Sequence, residues 1–414
     1  MDGKIAIIGG GAAGMMAAVQ AAEAGVCAEL YERNDRVGKK LLATGNGRCN
    51  FSNRNMNRDA YYGSAVSFYE KLYPAFGVPE TIDFFSQHGM LIKDRDGYLY
   101  PLSEQATTVL DILRFALEEE KIVLHTGRKV KTLRRDRKTG GFQVVSDGES
   151  SGAYRAVILA CGGMAAPKTG SDGSGYALAK AFGHHVTELA PALVQLKCQG
   201  DFWKSIAGVR TEAELTLSIG GRKKNAVRGE LQLADYGISG IPVFQFSREA
   251  AYALSHRKQV SVEIDFLPDY EEKAYRRLWE LRFERGKEQP LERFLTGISN
   301  KKINQLIIRQ AGCKLSDTAG GLSGEKRKKI AELYRHFTVT VCGTNGFEQA
   351  QVCAGGIPAR ELTDCLESVY TPGLFFAGEI IDMDGICGGY NLQWAWTSGA
   401  AAGRAAAGYV RKSL

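Results

Sequence analysis

The first 32 residues constrain the fold more than any other stretch of the 414-residue chain. Lys4 to Gly10 reads K-I-A-I-I-G-G, a short apolar run suited to a buried strand. It breaks into G-G-G-A-A-G at residues 9–14, and an alanine-rich helix is predicted from Met15 to Ala24. A second apolar run, Ala28 to Tyr31, ends on Glu32, eighteen residues past Gly14. Strand, glycine turn, helix, strand and terminal acid at this spacing make a dinucleotide-binding βαβ unit. Gly9 permits the tight turn, Gly11 lets backbone approach a pyrophosphate, and Gly14 lets the helix pack close to the strand. Ala12 and Ala13 lie in the turn that leads into the helix, whose free N–H groups and partial positive charge face the phosphates. Glu32 is placed to accept hydrogen bonds from ribose hydroxyls.

The length predicts two or three domains with ample cores. No stretch offers ~20 apolar residues free of charge, so no membrane insertion is expected, and the N-terminus does not read as a signal peptide. Nine cysteines without a C-x-x-C pair argue for reduced thiols in a cytoplasmic protein and against a zinc site, and no metal is expected. The net charge is +7, with basic runs at Arg128–Lys138, Arg222–Arg228 and Lys326–Lys329. They are short, scattered and without interleaved aromatics, so they read as solvated faces, with a field attractive to anionic substrates as the sharper reading. No nucleic acid is expected as a partner.

After Glu32, residues 33–53 are rich in Gly and Asn and predict a loop folded over a cofactor. Arg33, Lys39, Lys40 and Arg48 can meet phosphate charge there, around a Gly45-Asn46-Gly47 turn followed by Cys49 and Asn50. Val130 falls in a strand after a crossover helix, where backbone groups can meet an adenine. Tyr154 to Ala160 reads as a central strand running into a Gly162-Gly163 turn beside the cofactor. Lys168 to Gly175 is glycine-rich but starts no second βαβ unit, so the chain carries one dinucleotide fingerprint and no separate nicotinamide domain. From about Pro191 short β-like runs predict a small barrel, and Pro268 to Leu333 reads as an inserted helical cap. At the C-terminus, Gly373 to Ile381 is an apolar strand containing Gly378-Glu379. A glycine-rich turn with Asp384 and Gly389 follows, then Asn391, Leu392 and an Ala/Gly-rich helix to Ala407. This is a second anion- and hydroxyl-binding device. Two such devices at opposite ends of one chain suit a long cofactor with a ribityl chain and a redox ring, which points to FAD.

These segments resemble a known group: the single-Rossmann FAD-dependent oxidoreductases that include aminoacetone oxidase-like flavoproteins and 3-dehydro-bile acid Δ4,6-reductase. The resemblance rests on I-I-G-G-G-A-A-G, G-N-G-R-C-N-F-S-N, A-C-G-G-M-A-A-P-K-T-G-S-D-G-S-G, A-Q-V-C-A-G-G-I and F-A-G-E-I-I-D-M-D-G-I-C-G-G-Y-N-L-Q-W-A, which run from end to end of the chain. It implies an α/β fold: a glutathione-reductase-type FAD domain (1–191 and 342–414), interrupted by a β-barrel (192–267 and 334–341) that carries a small helical cap (268–333). It also implies roles. Gly9 to Gly14 would hold the pyrophosphate, Glu32 and Arg33 the ribose region, and Val130 the adenine. Lys40 and Gly45–Asn50 would lie along the cofactor, Glu379 would hold ribityl or phosphate groups, and Asn391-Leu392 would offer N–H groups to the flavin pyrimidine edge.

The chemistry expected is hydride transfer from reduced flavin to the β-carbon of an enone, with NAD(P)H as a transient donor and a steroid-like, anionic small molecule as substrate. The proton and enolate partners are sought among Tyr390, Tyr236, Ser239 and Arg48. Amine oxidation with O2 is a rival enzymatic reading, and a flavoprotein binding RNA through its basic insert is another. Cys49 and Cys387 read as small packed residues, and His184-His185 as a helix C-terminal pair. The region between Pro191 and Val341 is expected to choose the substrate.

Overall fold

The computed structural model describes residues 3–136, 140–146 and 149–412. Strand Ile5–Ile8 runs into helix Ala12–Glu23, and the chain returns as strand Ala28–Tyr31, paired in parallel with the first from Ile5↔Ala28 to Ile8↔Tyr31. These strands belong to a five-stranded sheet in the order Leu374–Phe376, Ala156–Leu159, Ile5–Ile8, Ala28–Tyr31, Val123–His125. Every pairing in it is parallel. Ile5–Ile8 and Ala156–Leu159 are buried along their whole length, which explains why they read as continuous apolar runs and do not alternate. Val130–Arg135, Phe142–Ser146 and Glu149–Tyr154 form a separate antiparallel sheet. Arg137 and Lys138 of the first basic run lie outside the described residues.

The chain forms two compact units, Met1–Pro191 with Phe347–Leu414, and Ala192–Gly346. In the first, the two ends of the chain meet through small residues. The C-terminal helix, Tyr390–Lys412, packs along Ala12–Glu23. A Cβ added at Gly399 would stand 2.5 Å from the carbonyl oxygen of Ala13, and one at Gly403 would stand 2.4 Å from that of Ala17. Four-residue spacing puts both glycines on one helix face, so the two backbones touch where side chains would hold them apart.

A second clasp closes the same unit. His184-His185 follows helix Ser174–Lys180 and does more than end it. Glu361, 1% exposed, accepts from His185 N (2.9 Å) and meets His184 Nδ1 (3.1 Å) and His185 Nδ1 (2.8 Å), while His184 Nε2 meets Ser368 Oγ (2.7 Å). Burial pushes the His184 pKa down. Burial works against the Glu361 carboxylate, but hydrogen bonds from both histidines hold its pKa below the ordinary value.

The second unit is a closed antiparallel barrel of strands Leu196–Cys198, Gly237–Ser239, Arg222–Ala234, Arg210–Ile219, Val260–Asp265 and Phe337–Thr344, in that order. Leu215, Leu217, Val260, Val262, Val339 and Val341 alternate inward, as closure requires. Helix Ile241–Ser255 has no counterpart in the sequence reading. It starts at Gly240 with Pro242 in its first turn and buries Val243, Phe246 and Ala250 among the barrel residues. Helices Glu272–Arg285, Lys301–Gln310 and Gly324–Arg335 bury Trp279, Ile307 and Tyr334 into the same cluster. Among the described residues no helix is long and apolar enough to cross a membrane.

Gly403→Ala is expected to lower stability by about 1–3 kcal/mol through overpacking against Ala17. Gly408→Ala, on the same helix with nothing within 4 Å of its added Cβ, is expected to raise stability by about 0.5–1 kcal/mol through helix propensity. Urea unfolding of the two variants beside the parent measures both.

Candidate functional site

The glycine turn is built as its spacing predicts. Gly9 has φ +113°, and a Cβ there would stand 2.4 Å from Ala160 O. A Cβ on Gly14 would stand 1.9 Å from Gly9 O, so this glycine sets the helix-to-strand distance. Gly11 differs from both, because its added Cβ would meet nothing within 4 Å. It is also the N-cap of helix Ala12–Glu23 and supplies no side-chain cap. The first-turn N–H groups of Ala12, Ala13 and Gly14 have no intrahelical partner, so they face the space beside Gly11 with their partial positive charge. The donor set and the open space fit a pyrophosphate.

Glu32, 7% exposed, also braces this turn. Its Oε2 accepts from Gly10 N (2.9 Å), and its Oε1 accepts from Asn34 N and Nδ2 (2.7 Å each). The acid thus holds the loop in shape. Arg33 pairs with Asp172, which Lys129 also approaches at 3.3 Å. Burial opposes ionisation of Asp172, yet hydrogen bonds from Arg33 and Ser174 hold its pKa well below the ordinary carboxylate range. Val130, beside Lys129, is buried. Asp172 had no role in the sequence reading, although its glycine-rich neighbourhood was a visible signal. The Lys39 ammonium pairs with Asp35 at 3.3 Å and reaches Asn34 Oδ1 at 3.5 Å.

Lys40 and Glu379, 339 residues apart, meet at 2.7 Å. Glu379 Oε1 also accepts from Cys353 N (2.6 Å), and Gly163 N lies 3.5 Å from Oε2. Residues Gly45, Asn46, Gly47 and Arg48 are exposed. Gly45 and Asn46 have left-handed backbone at φ 56° and 54°, inside a loop with 3₁₀ turns. Cys49 is fully buried, and burial pushes its thiol up to about 12, so it stays protonated. The Asn50 amide donates to Ser52 O (2.8 Å) and Leu99 O (3.1 Å). Gly162 turns at φ +71° with Ser171 at its back.

The other end of the chain supplies the matching cradle. Gly378 N donates to Ser398 Oγ (2.9 Å), and a Cβ on Gly378 would stand 2.8 Å from that of Ala13. Asp384 is buried in a two-residue pairing with Tyr62. Gly389 passes so close to Ser52 that a Cβ would stand 2.5 Å from its carbonyl oxygen. The Asn391 side chain folds back, accepting from Gly385 N (2.7 Å) and donating to Gly385 O (2.8 Å). That pins the loop and leaves the Asn391 and Leu392 backbone N–H groups in the first turn of the helix, where they have no intrahelical partner.

The four catalytic candidates fall into different settings, with Ser239 buried in the barrel strand Gly237–Ser239. Tyr390 is 6% exposed; its hydroxyl donates to Asn55 O (3.3 Å) and its carbonyl accepts from Tyr61 (2.9 Å). Burial raises its pKa. Its ring joins Tyr61, Tyr69 and Tyr73 in an aromatic cluster, and this position braces the start of the helix. Arg48 is exposed. Tyr236 belongs to the second unit, within reach of the side chains of Asn345 and Ser239. Burial raises the Cys387 thiol, so neither Cys387 nor Cys49 is a thiolate nucleophile at neutral pH. All nine cysteines are free.

A family model described as HI0933-like protein Rossmann domain matches residues 3–405. The chain belongs to the HI0933-like family. Within it, 42% of 407 aligned residues are identical to a 3-dehydro-bile acid delta(4,6)-reductase of Clostridium scindens, covering 98% of this chain and 99% of that one. A ribosomal RNA dihydrouridine synthase of Haemophilus influenzae is 28% identical over 401 residues, covering 95% of each chain. Among solved structures, a 3-ketosteroid-delta4-(5alpha)-dehydrogenase from Rhodococcus jostii RHA1 shares the fold, with a TM-score of 0.50, 16% identity and coverage of 98% and 97%. The HI0933-like fold is the Rossmann FAD-binding type with an inserted closed barrel, as the sequence motifs imply.

Gly14→Ala is expected to cost about 1–3 kcal/mol, since Gly9 O must move. Gly11→Ala is expected to leave the unfolding midpoint of the apoprotein unchanged, because its Cβ enters open space. Thermal unfolding of the two apoproteins checks the contrast.

Proposed function

We propose that this protein is an FAD-dependent oxidoreductase that saturates an activated C=C bond in a steroid-like enone. The observation that carries this reading is the 42% identity, over nearly the whole chain, to a reductase named for unsaturation in a bile acid. Two features of the molecule support it. Glycine cradles at both ends of the chain lie in one unit and suit a single long cofactor. The relatives' names also share a chemistry, because dihydrouridine is uridine with the ring C=C beside its carbonyl saturated.

When bound, FAD in its reduced form would supply a hydride for the enone β-carbon. The N–H groups of the first turn at Gly11–Gly14 hold the pyrophosphate. Glu32 and Arg33 hold the adenosine ribose region, and Val130 meets the adenine. Lys40 and Glu379 hold the phosphate and ribityl groups as a pair. The N–H groups of Asn391 and Leu392 meet the flavin pyrimidine edge, where the helix N-terminus favours negative charge. We assign Arg48 to the substrate oxygen that becomes the enolate, with the α-carbon taking its proton from solvent. NAD(P)H is taken as the electron donor, visiting transiently without a domain of its own.

One observation favours a second reading. Residues 268–335 carry 16 Lys and Arg against 10 Asp and Glu, a net +6 of the chain's +7. With the dihydrouridine synthase relatives, this charge supports an RNA substrate bound to that segment.

The deciding experiment is anaerobic turnover of the FAD-loaded protein with NAD(P)H and a 3-oxo-4,6-diene bile acid, beside a uridine-containing ribosomal RNA fragment. The reductase reading predicts loss of the dienone absorbance and reoxidation of the flavin by the steroid alone. Arg48→Gln should then lower kcat by about 10²–10³ when compared with the parent at equal FAD occupancy. Reoxidation by the RNA and not by the steroid would replace the steroid with the RNA. Peroxide production from aminoacetone in air, with neither enone reduced, would replace both with an amine oxidase.

A further inference from the structure

The barrel carries a polar row that its fold does not need. Strand Leu196–Cys198 lies between Gly237–Ser239 and Phe337–Thr344, in the registers Leu196↔Ile238 and Leu196↔Thr344. One residue earlier, Gln195 therefore faces Ser239 on one side and Asn345 on the other, and Asn345 N donates to Gln195 O at 3.1 Å. Ser239 in turn opposes Gln232 on the next strand. Opposed residues of antiparallel strands share a face. Gln232, Ser239, Gln195 and Asn345 thus form one row, on the face opposite Leu196, Leu233 and Ile238 of the barrel core. The Tyr236 phenol joins it, within reach of both Asn345 and Ser239.

Two features set Gln195 apart. Its Oε1 is shielded from solvent and has no hydrogen-bond partner among the described residues. A buried acceptor without a donor is costly, and a fold keeps one chiefly where a ligand or ordered water completes it. The turn that delivers it is also strained, for Leu193 is buried with left-handed backbone at φ 49°. A branched-chain residue rarely takes that conformation, and such strain gathers at functional sites.

We propose that Gln195 is a specificity-determining residue whose amide oxygen accepts a hydrogen bond from a hydroxyl group on the substrate, within the polar row of Ser239, Asn345 and Tyr236. This rests on the steroid enone reading and narrows it: the substrate is a hydroxylated steroid acid rather than a bare hydrocarbon enone. A steroid hydroxyl is the matching donor, a lone O–H on an apolar skeleton that gains most from a partner already stripped of water.

The test is calorimetric binding of 3-oxo-4-ene bile acids carrying a ring hydroxyl at C7, at C12, at both or at neither, to the oxidised FAD-loaded protein, with enone reduction followed in parallel. The parent should bind at least one hydroxylated member about tenfold more tightly than the member with neither. Gln195→Met, close in shape and without the acceptor, should bind all four at the level of the bare compound. Gln195→Asn, which keeps the amide but shortens its reach, should lose the same preference and guards against a misfolded Met variant. Equal hydroxyl preference in parent and variants overturns the proposal, as does a parent with no preference. Binding with the predicted preference but no enone reduction keeps Gln195 as a hydroxyl acceptor and overturns the reductase reading instead.

Discussion

The backbones of the first and last helices touch, and the rest of the first unit depends on that approach. Gly399 and Gly403 bring the C-terminal helix against the carbonyls of Ala13 and Ala17, and Gly14 brings the first helix against the turn at Gly9. None of these positions has room for a Cβ. Their consequence is geometric: two helix N-termini, at Gly11 and at Tyr390, are held in one body although they are 379 residues apart in the chain. The Lys40–Glu379 pair repeats the same closure with charge. It is a partly exposed pair, so its worth lies more in placing two side chains than in stability.

Much of this was legible in the sequence because glycine spacing and apolar strands are local signals. The βαβ unit needs residues 5 to 32, and its parts appear in order. The barrel announced itself through alternation such as that of Val260–Asp265. What escaped is non-local. Nothing near Glu361 says that two histidines 176 and 177 residues away will share its carboxylate. The pairing of Arg33 with Asp172 likewise joins residues far apart in the chain. Lys39 and Lys40 are adjacent and read alike, yet one turns to Asp35 and the other to Glu379. Helix Ile241–Ser255 did leave a signal, a glycine before Ile-Pro and apolar residues at 243, 246 and 250. It was masked by the strands around it.

Burial decides much of the chemistry left to the chain. The thiols of Cys49 and Cys353 are pushed up to about 12, which removes them as nucleophiles near neutral pH and leaves them as small packed groups. Tyr390 keeps its proton but has committed it to Asn55. Arg48, by contrast, is exposed. The chain thus spends its buried polar groups on holding shape and reserves few for reaction, as expected where a cofactor carries the redox step.

The proposed FAD site is a single long one drawn from both ends of the chain. Its test is calorimetric titration of the apoprotein with FAD, in the absence and presence of excess NAD(P)+. One FAD per chain, not displaced by the nicotinamide dinucleotide, is the expected result. Binding of NAD(P)+ at the same stoichiometry with FAD excluded would contradict it.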